Sequence, residues 1–177
     1  MKKLIIFDGP DGCGKTNIAH EFVRQHPEIS YFKNTSEHKT IKTYTNEQLT
    51  MIHQVQIDLF LLFMKQINCN IIIDRGYPSE IVYSRCFRSL NEEYAKKVDN
   101  AHAQLGVKLV FLIKDDELLN DDEDKIFDNK ALRSVKKGFL HFATETKCEN
   151  IIINTSDENL QKQIKKLNNF IYENWNL

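Results

Sequence analysis

The stretch KLIIFDGPDGCGKTNIAHEFVRQ, residues 3–25, constrains this chain more than any other. A short apolar run gives way to G-x-x-x-x-G-K-T and then to a helical pattern. That order asks for a strand that stops, a glycine-permitted curl and a helix that opens on its lysine. In such a curl the backbone N–H groups point inward, and the helix N-terminus adds positive potential. The loop therefore suits phosphate. Gly9, Gly12 and Gly14 supply the curl, Lys15 is expected to reach the β- and γ-phosphates of ATP, and the Thr16 hydroxyl to ligate Mg²⁺. Asp8 and Asp11, two acids in and beside a loop built for polyphosphate, need a separate reason.

Short runs rich in β-branched residues recur at 3–8, 29–33, 70–74, 108–113 and 150–155. Without polar alternation they fit buried strands of a parallel sheet. Helical stretches fall between them, at 15–25, 46–68, 79–105 with a break, 125–147 and 157–174. Strands alternating with helices predict right-handed crossovers and an α/β sandwich. No repeat, low-complexity segment or linker interrupts 1–177, so one domain is expected. The polar stretch 34–46 and the acidic stretch 114–124 both follow strands, which places them at the carboxyl edge of the sheet, where such folds bind ligands.

Composition sets limits. A net charge of −1 gives no global basic field for nucleic acid or an anionic membrane. No apolar run reaches membrane-spanning length, and MKKLIIFDG is too short in apolar residues for a signal peptide. The expected compartment is the cytoplasm. Cys13, Cys69, Cys86 and Cys148 lack metal-ligand spacing and are read as reduced thiols, three half-buried and one in the loop. The histidines show no metal spacing either.

A second motif is IIIDRGYPSE, residues 71–80. Asp74 ends an apolar strand and can hold a Mg²⁺-bound water; Arg75 then stands at the cleft mouth, suited to a substrate phosphate. A surface pair capping the strand is the alternative. The two motifs together resemble the thymidylate kinase family of P-loop nucleoside and nucleotide kinases. The loop reads FDGPDGCGKT against F-[DE]-G-x-[DE]-x-x-G-K-[ST]. The second reads DRGYPSEIVYS against D-R-Y-x-x-S-x-x-A-Y-Q, with Asp74, Arg75, Ser79 and Tyr83 matching. Gly76, Val82 and Ser84 stand where Tyr, Ala and Gln are usual. ALRSVKKGFLHFA (131–143) is similar to the helix after the family's lid, here about 114–130.

The resemblance implies a three-layer α/β sandwich with a five-stranded parallel sheet, ATP and Mg²⁺, a nucleotide or nucleoside substrate, and often a homodimer. It implies that Asp11 meets the acceptor sugar, Arg75 the acceptor phosphate, and that Ser79 and Tyr83 line the acceptor pocket. Positions 79 and 83 share a helix face, whereas Arg85 and Arg88 project opposite. Asp8 occupies the slot where related deoxynucleoside kinases carry a proton-accepting Glu. Gln54 falls where a base-reading side chain is expected, and an ordinary exposed helix glutamine is the other reading. The family's catalytic arginine has no counterpart in residues 9–16 or 114–130; Lys125, Arg133 or another subunit's residue are the substitutes. Lys33, Lys39 and Lys42 are candidates for phosphate contacts.

The leading expectation is transfer from ATP to the 5′-phosphate of a deoxynucleoside monophosphate, dTMP or a related pyrimidine. The alternatives are a kinase of hydroxyls, on a nucleoside or on a nucleotide in DNA, with Asp8 as base, and a nucleotide-binding switch without acceptor chemistry.

Overall fold

Five strands pair in parallel in the order β2-β3-β1-β4-β5. They are β1 (Leu4–Asp8), β2 (Ile29–Lys33), β3 (Asn70–Asp74), β4 (Lys108–Ile113) and β5 (Glu149–Asn154). The computed structural model describes residues 3–34, 44–88, 91–119, 128–156 and 159–172. Among the described residues six α-helices and a 3-10 turn (Asp116–Leu118) complete it: α1 (Lys15–Gln25), α2 (Asn46–Gln66), α3 (Tyr77–Phe87), α4 (Glu92–Gln104), α5 (Asn129–Glu145) and α6 (Leu160–Tyr172). The five-stranded parallel sandwich expected from the sequence is the one observed. The expected break in 79–105 falls between α3 and α4.

Alternation along β1 builds two cores. Leu4 and Ile6 face a layer of α2, α3, α4 and α5 side chains, including Ile57, Tyr77, Ile81, Val98 and Phe139. Ile5 and Phe7 face α1 and α6 through Ile18, Phe22, Ile164 and Leu167. All four β1 side chains are 0–1% exposed, each worth about 1.5–3 kcal/mol of burial. The edge strands differ: β2 and much of β5 are partly exposed, since each has a neighbour on one side alone. Along α2, Met51, Val55, Leu59 and Leu62 are exposed. Cys69 is exposed and Cys148 buried rather than half-buried, and all four thiols are free. Among the described residues no helix is long and apolar enough to cross a membrane.

Helix ends explain what the cleft can hold. Thr45 and Gln48 form a capping box on α2, and Asn91 and Asp128 cap α4 and α5 with their side chains. Helix α1 starts differently, on left-handed Gly14 with no side-chain cap. Its first N–H groups are thus left for a ligand.

Register places the chemistry. Asp74 of β3 lies level with Phe7 of β1 and Lys33 of β2, while Asp8 pairs with Phe111 of β4. Both acids therefore end central strands at the same carboxyl edge.

Candidate active site

The loop from Gly9 to Gly14 curls through three glycines with φ of 143°, 75° and 72°. At Gly9 a Cβ would lie 2.0 Å from the Leu112 carbonyl oxygen, so β4 itself enforces the glycine. Lys15, 7% exposed, folds back over the loop, donating to Gly9 O at 3.0 Å and Pro10 O at 2.6 Å. One residue on, Thr16 Oγ1 donates to Asp74 Oδ2 at 2.8 Å. Tyr31 of β2 donates to the same oxygen at 2.9 Å; burial, with Asp74 beside it, pushes this phenol up to about 12. A hydroxyl and a carboxylate side by side at a phosphate loop are the hard oxygen donors that Mg²⁺ prefers, and they fit it.

Arg75 occupies a left-handed backbone conformation, φ 69°, the one non-glycine residue to do so among those described. Such a conformation is costly for a side-chain-bearing residue and persists where its surroundings hold it. Here the Arg75 N–H donates to Phe7 O at 2.8 Å, while the guanidinium is gripped by Asp11 Oδ1 and reaches Ser79 Oγ at 3.2 Å. Tyr83 OH donates to the other Asp11 oxygen at 3.1 Å, and the Tyr83 ring lies 5.9 Å from the guanidinium carbon. Asp11, Arg75, Ser79 and Tyr83 thus form one cluster, drawn from the loop and from α3.

Asp8 does not match its expected role as a base. It is 0% exposed. Its Oδ1 accepts from Gly9 N at 2.9 Å and Ser79 Oγ at 2.5 Å, and its Oδ2 from Ser79 N at 2.9 Å and Gly76 N at 3.2 Å. Burial raises its pKa, while Arg75, Ser79 and Lys15 oppose the rise. With both oxygens engaged, Asp8 serves as the cap of α3, supplied by a different strand.

Gln54 stands apart from this cluster. It lines a pocket of about 480 Å³ between α2 and the end of α3, together with Thr50, Phe87 and Arg88. Arg88 follows the end of α3, at Phe87, and has extended backbone. Its side chain reaches back two turns to Glu80, with Nη2 2.7 Å from Oε2. Ser84 Oγ donates to the other oxygen at 2.8 Å, and His53 Nδ1 of α2 lies 2.5 Å from Glu80 Oε2. Spacing of four among Glu80, Ser84 and Arg88 was the available sequence signal. Arg85 instead pairs on the surface with Glu92 and Glu145.

No family model and no curated protein matches the sequence. Solved structures do match. A thymidylate kinase from Candida albicans has 18% identity and a TM-score of 0.71, over 98% of this chain and 92% of that one. A deoxyadenosine kinase from M. mycoides, solved with dCMP and dCDP, has 14% identity and a TM-score of 0.68, over 96% and 97%. The YorR protein of Bacillus subtilis, solved with phosphorylated GDP, has 21% identity and a TM-score of 0.65, over 93% of each chain.

The chain shares the fold of these solved structures.

Within that fold, the departures in the second motif have local causes. A Cβ at Gly76 would lie 2.7 Å from the Ile6 side chain, so no tyrosine fits there. The tyrosine follows at 77, where it is 1% exposed, stacks on His102 at 4.1 Å and donates to Asp99 at 2.8 Å. Val82 is accommodated because Gly138 of α5 faces it; a Cβ there would sit 2.7 Å from Val82 Cγ1. Residues 120–127 of the expected lid, Lys125 among them, and Lys39 and Lys42 lie outside the described residues.

Proposed function

We propose that this chain is a nucleotide kinase that moves the γ-phosphoryl group of ATP to the 5′-phosphate of a deoxynucleoside monophosphate, dTMP or a related pyrimidine. The observation that carries this reading is the Arg75 guanidinium, held between Asp11 and Ser79 at the mouth of the phosphate loop. It offers a planar fork to a second phosphate beside the one the loop would bind. An oxygen of the acceptor phosphate forms the new bond to Pγ, the bond from Pγ to the bridging oxygen breaks, and ADP leaves with that electron pair. Thr16 and Asp74 would hold Mg²⁺, which supplies charge neutralisation at the ATP phosphates when bound.

Two features favour a phosphate acceptor over a hydroxyl. An acceptor phosphate is already anionic near neutral pH and needs no side-chain base, and Asp8, the residue in the base slot, is buried with both oxygens taken. The pocket at Gln54 and Arg88 fits the base end of the acceptor. Arg88 reaches back to Glu80, the neighbour of Ser79, and Gln54 of α2 lines the same pocket. Donors there suit the keto oxygens of thymine or uracil.

The test is incubation with labelled ATP against a panel of deoxynucleoside monophosphates, nucleosides and DNA, with the products separated. Labelled diphosphates, dTDP or dUDP foremost, are expected. Label appearing in nucleosides or DNA and in no diphosphate would overturn the reading.

A further inference from the structure

No arginine stands in residues 9–16, and none between Arg88 and Arg133. Phosphoryl transfer depends on neutralising charge that spreads over the moving group. Lys15 supplies one cation on the donor side, and Arg75 faces the acceptor. A second donor-side cation has to come from elsewhere in the fold, and α5 brings one.

Leu132 of α5 packs in the same core cluster as Cys13 of the phosphate loop, Leu112 and Leu119. Lys136 stands one helical turn further along that face, with its side chain 16% exposed. Its ammonium, with those of Lys15 and Lys114, favours the Cys13 thiolate against the upward push of burial. The end of β4, the face of α5 and the tip of the loop therefore converge at Cys13. Lys136 Nζ rests 2.9 Å from Asp116 Oδ1. Arg133, 52% exposed, approaches the other oxygen at 3.6 Å from the solvent side.

We infer that Lys136 is the second phosphate-neutralising cation of the donor site, parked on Asp116 and drawn to the γ-phosphate when ATP fills the loop. The assignment rests on the kinase reading above. Asp116 is 44% exposed, so the parked pair is weak and yields to a polyphosphate. Lys136 makes and breaks no bond, and it balances charge while the acceptor oxygen bonds to Pγ and ADP departs.

Turnover of the wild-type protein is measured first, on the acceptor panel. Lys136→Met is then expected to lower kcat about 10²-fold or more, as loss of one preorganised charge does elsewhere. The Kd of a fluorescent ATP analogue should rise by no more than about tenfold, a smaller loss than in kcat, because the attraction strengthens as charge spreads over the moving group. Lys136→Arg should restore most of the rate. Adding Asp116→Asn to Lys136→Met separates chemistry from folding: a catalytic lysine predicts no recovery. Recovery would show that an Asp116 deprived of Lys136 caused the loss, and would overturn the assignment. So would a Lys136→Met enzyme with turnover within about threefold of wild type. Wild-type protein that phosphorylates nothing on the panel would overturn the kinase reading itself, and this assignment with it.

Discussion

On the proposed donor side of the cleft the chain presents its backbone: a loop of glycines at positive φ and an α1 N-terminus without a side-chain cap. On the proposed acceptor side it presents side chains, each held by another. Arg75 is gripped by Asp11 and Ser79, Tyr83 leans on Asp11, and Arg88 is pinned by Glu80. The donor site is built within one short stretch, whereas the acceptor site needs β1, the loop, α2 and α3 together. A backbone site tolerates change at its variable slots, which is how Cys13 can sit in the loop. A side-chain site can be retuned one residue at a time, and it is the side that sets which substrate is taken.

Single substitutions sharpen that contrast. The largest effect is expected from Lys15→Met, which removes the loop's own cation and its clasp on Gly9 and Pro10. ADP release in the presence of acceptor should fall by about 10³-fold or more, with binding of a fluorescent ATP analogue weakened as well. Arg75→Met comes next: kcat/KM for the acceptor should fall by about 10²–10³-fold while ATP affinity holds. An equal loss of ATP affinity would break the separation between the two sides.

Stability should divide along the same line. Beneath the acceptor helix, burial lowers the His102 pKa from 6.5 to about 4, and its Nδ1–H donates to Val98 O at 2.8 Å. The unfolded chain therefore binds a proton that the folded one refuses. Stability is full above pH 6.5 and declines as pH falls toward about 4, by on the order of 3 kcal/mol at most. His102→Phe, which keeps the stack on Tyr77, should flatten this slope in urea titrations across that range. A slope unchanged in the variant would assign it to other groups. The smallest effect is expected from Asp8→Asn. An amide has one oxygen for the donors that two oxygens now serve, a loss of about 1–3 kcal/mol, seen as a fall in Tm of about 2–4 °C per kcal/mol. Turnover per folded molecule should stay near wild type. Near-total loss with ATP binding intact would instead reinstate Asp8 as a base for a hydroxyl acceptor.

The fold was legible because its signals are local. A run such as NIIID ends where its apolar residues end, and the glycines of the loop are demanded by backbone sterics within a few residues. Thr16 and Asp74 were nameable for the same reason, each standing at a fixed offset from a strand end. The partners of Asp8, Gly76 and Ser79, lie some seventy residues on, and no local pattern tells an acid facing substrate from an acid capping a helix. Tyr31 was missed because its reach to Asp74 depends on β2 pairing with β3.

By itself, then, the sequence determined the sheet-and-helix order, the phosphate loop and the two strand-ending acids. Strand burial, glycine backbone freedom and capping act over a few residues, so they are written in short stretches. Tertiary structure decided that Asp8 is taken up by α3, that Arg88 lines the pocket and that Lys136 pairs with Asp116. Those outcomes follow from burial and from charge pairing between distant segments, and both exist once the sheet has set its register.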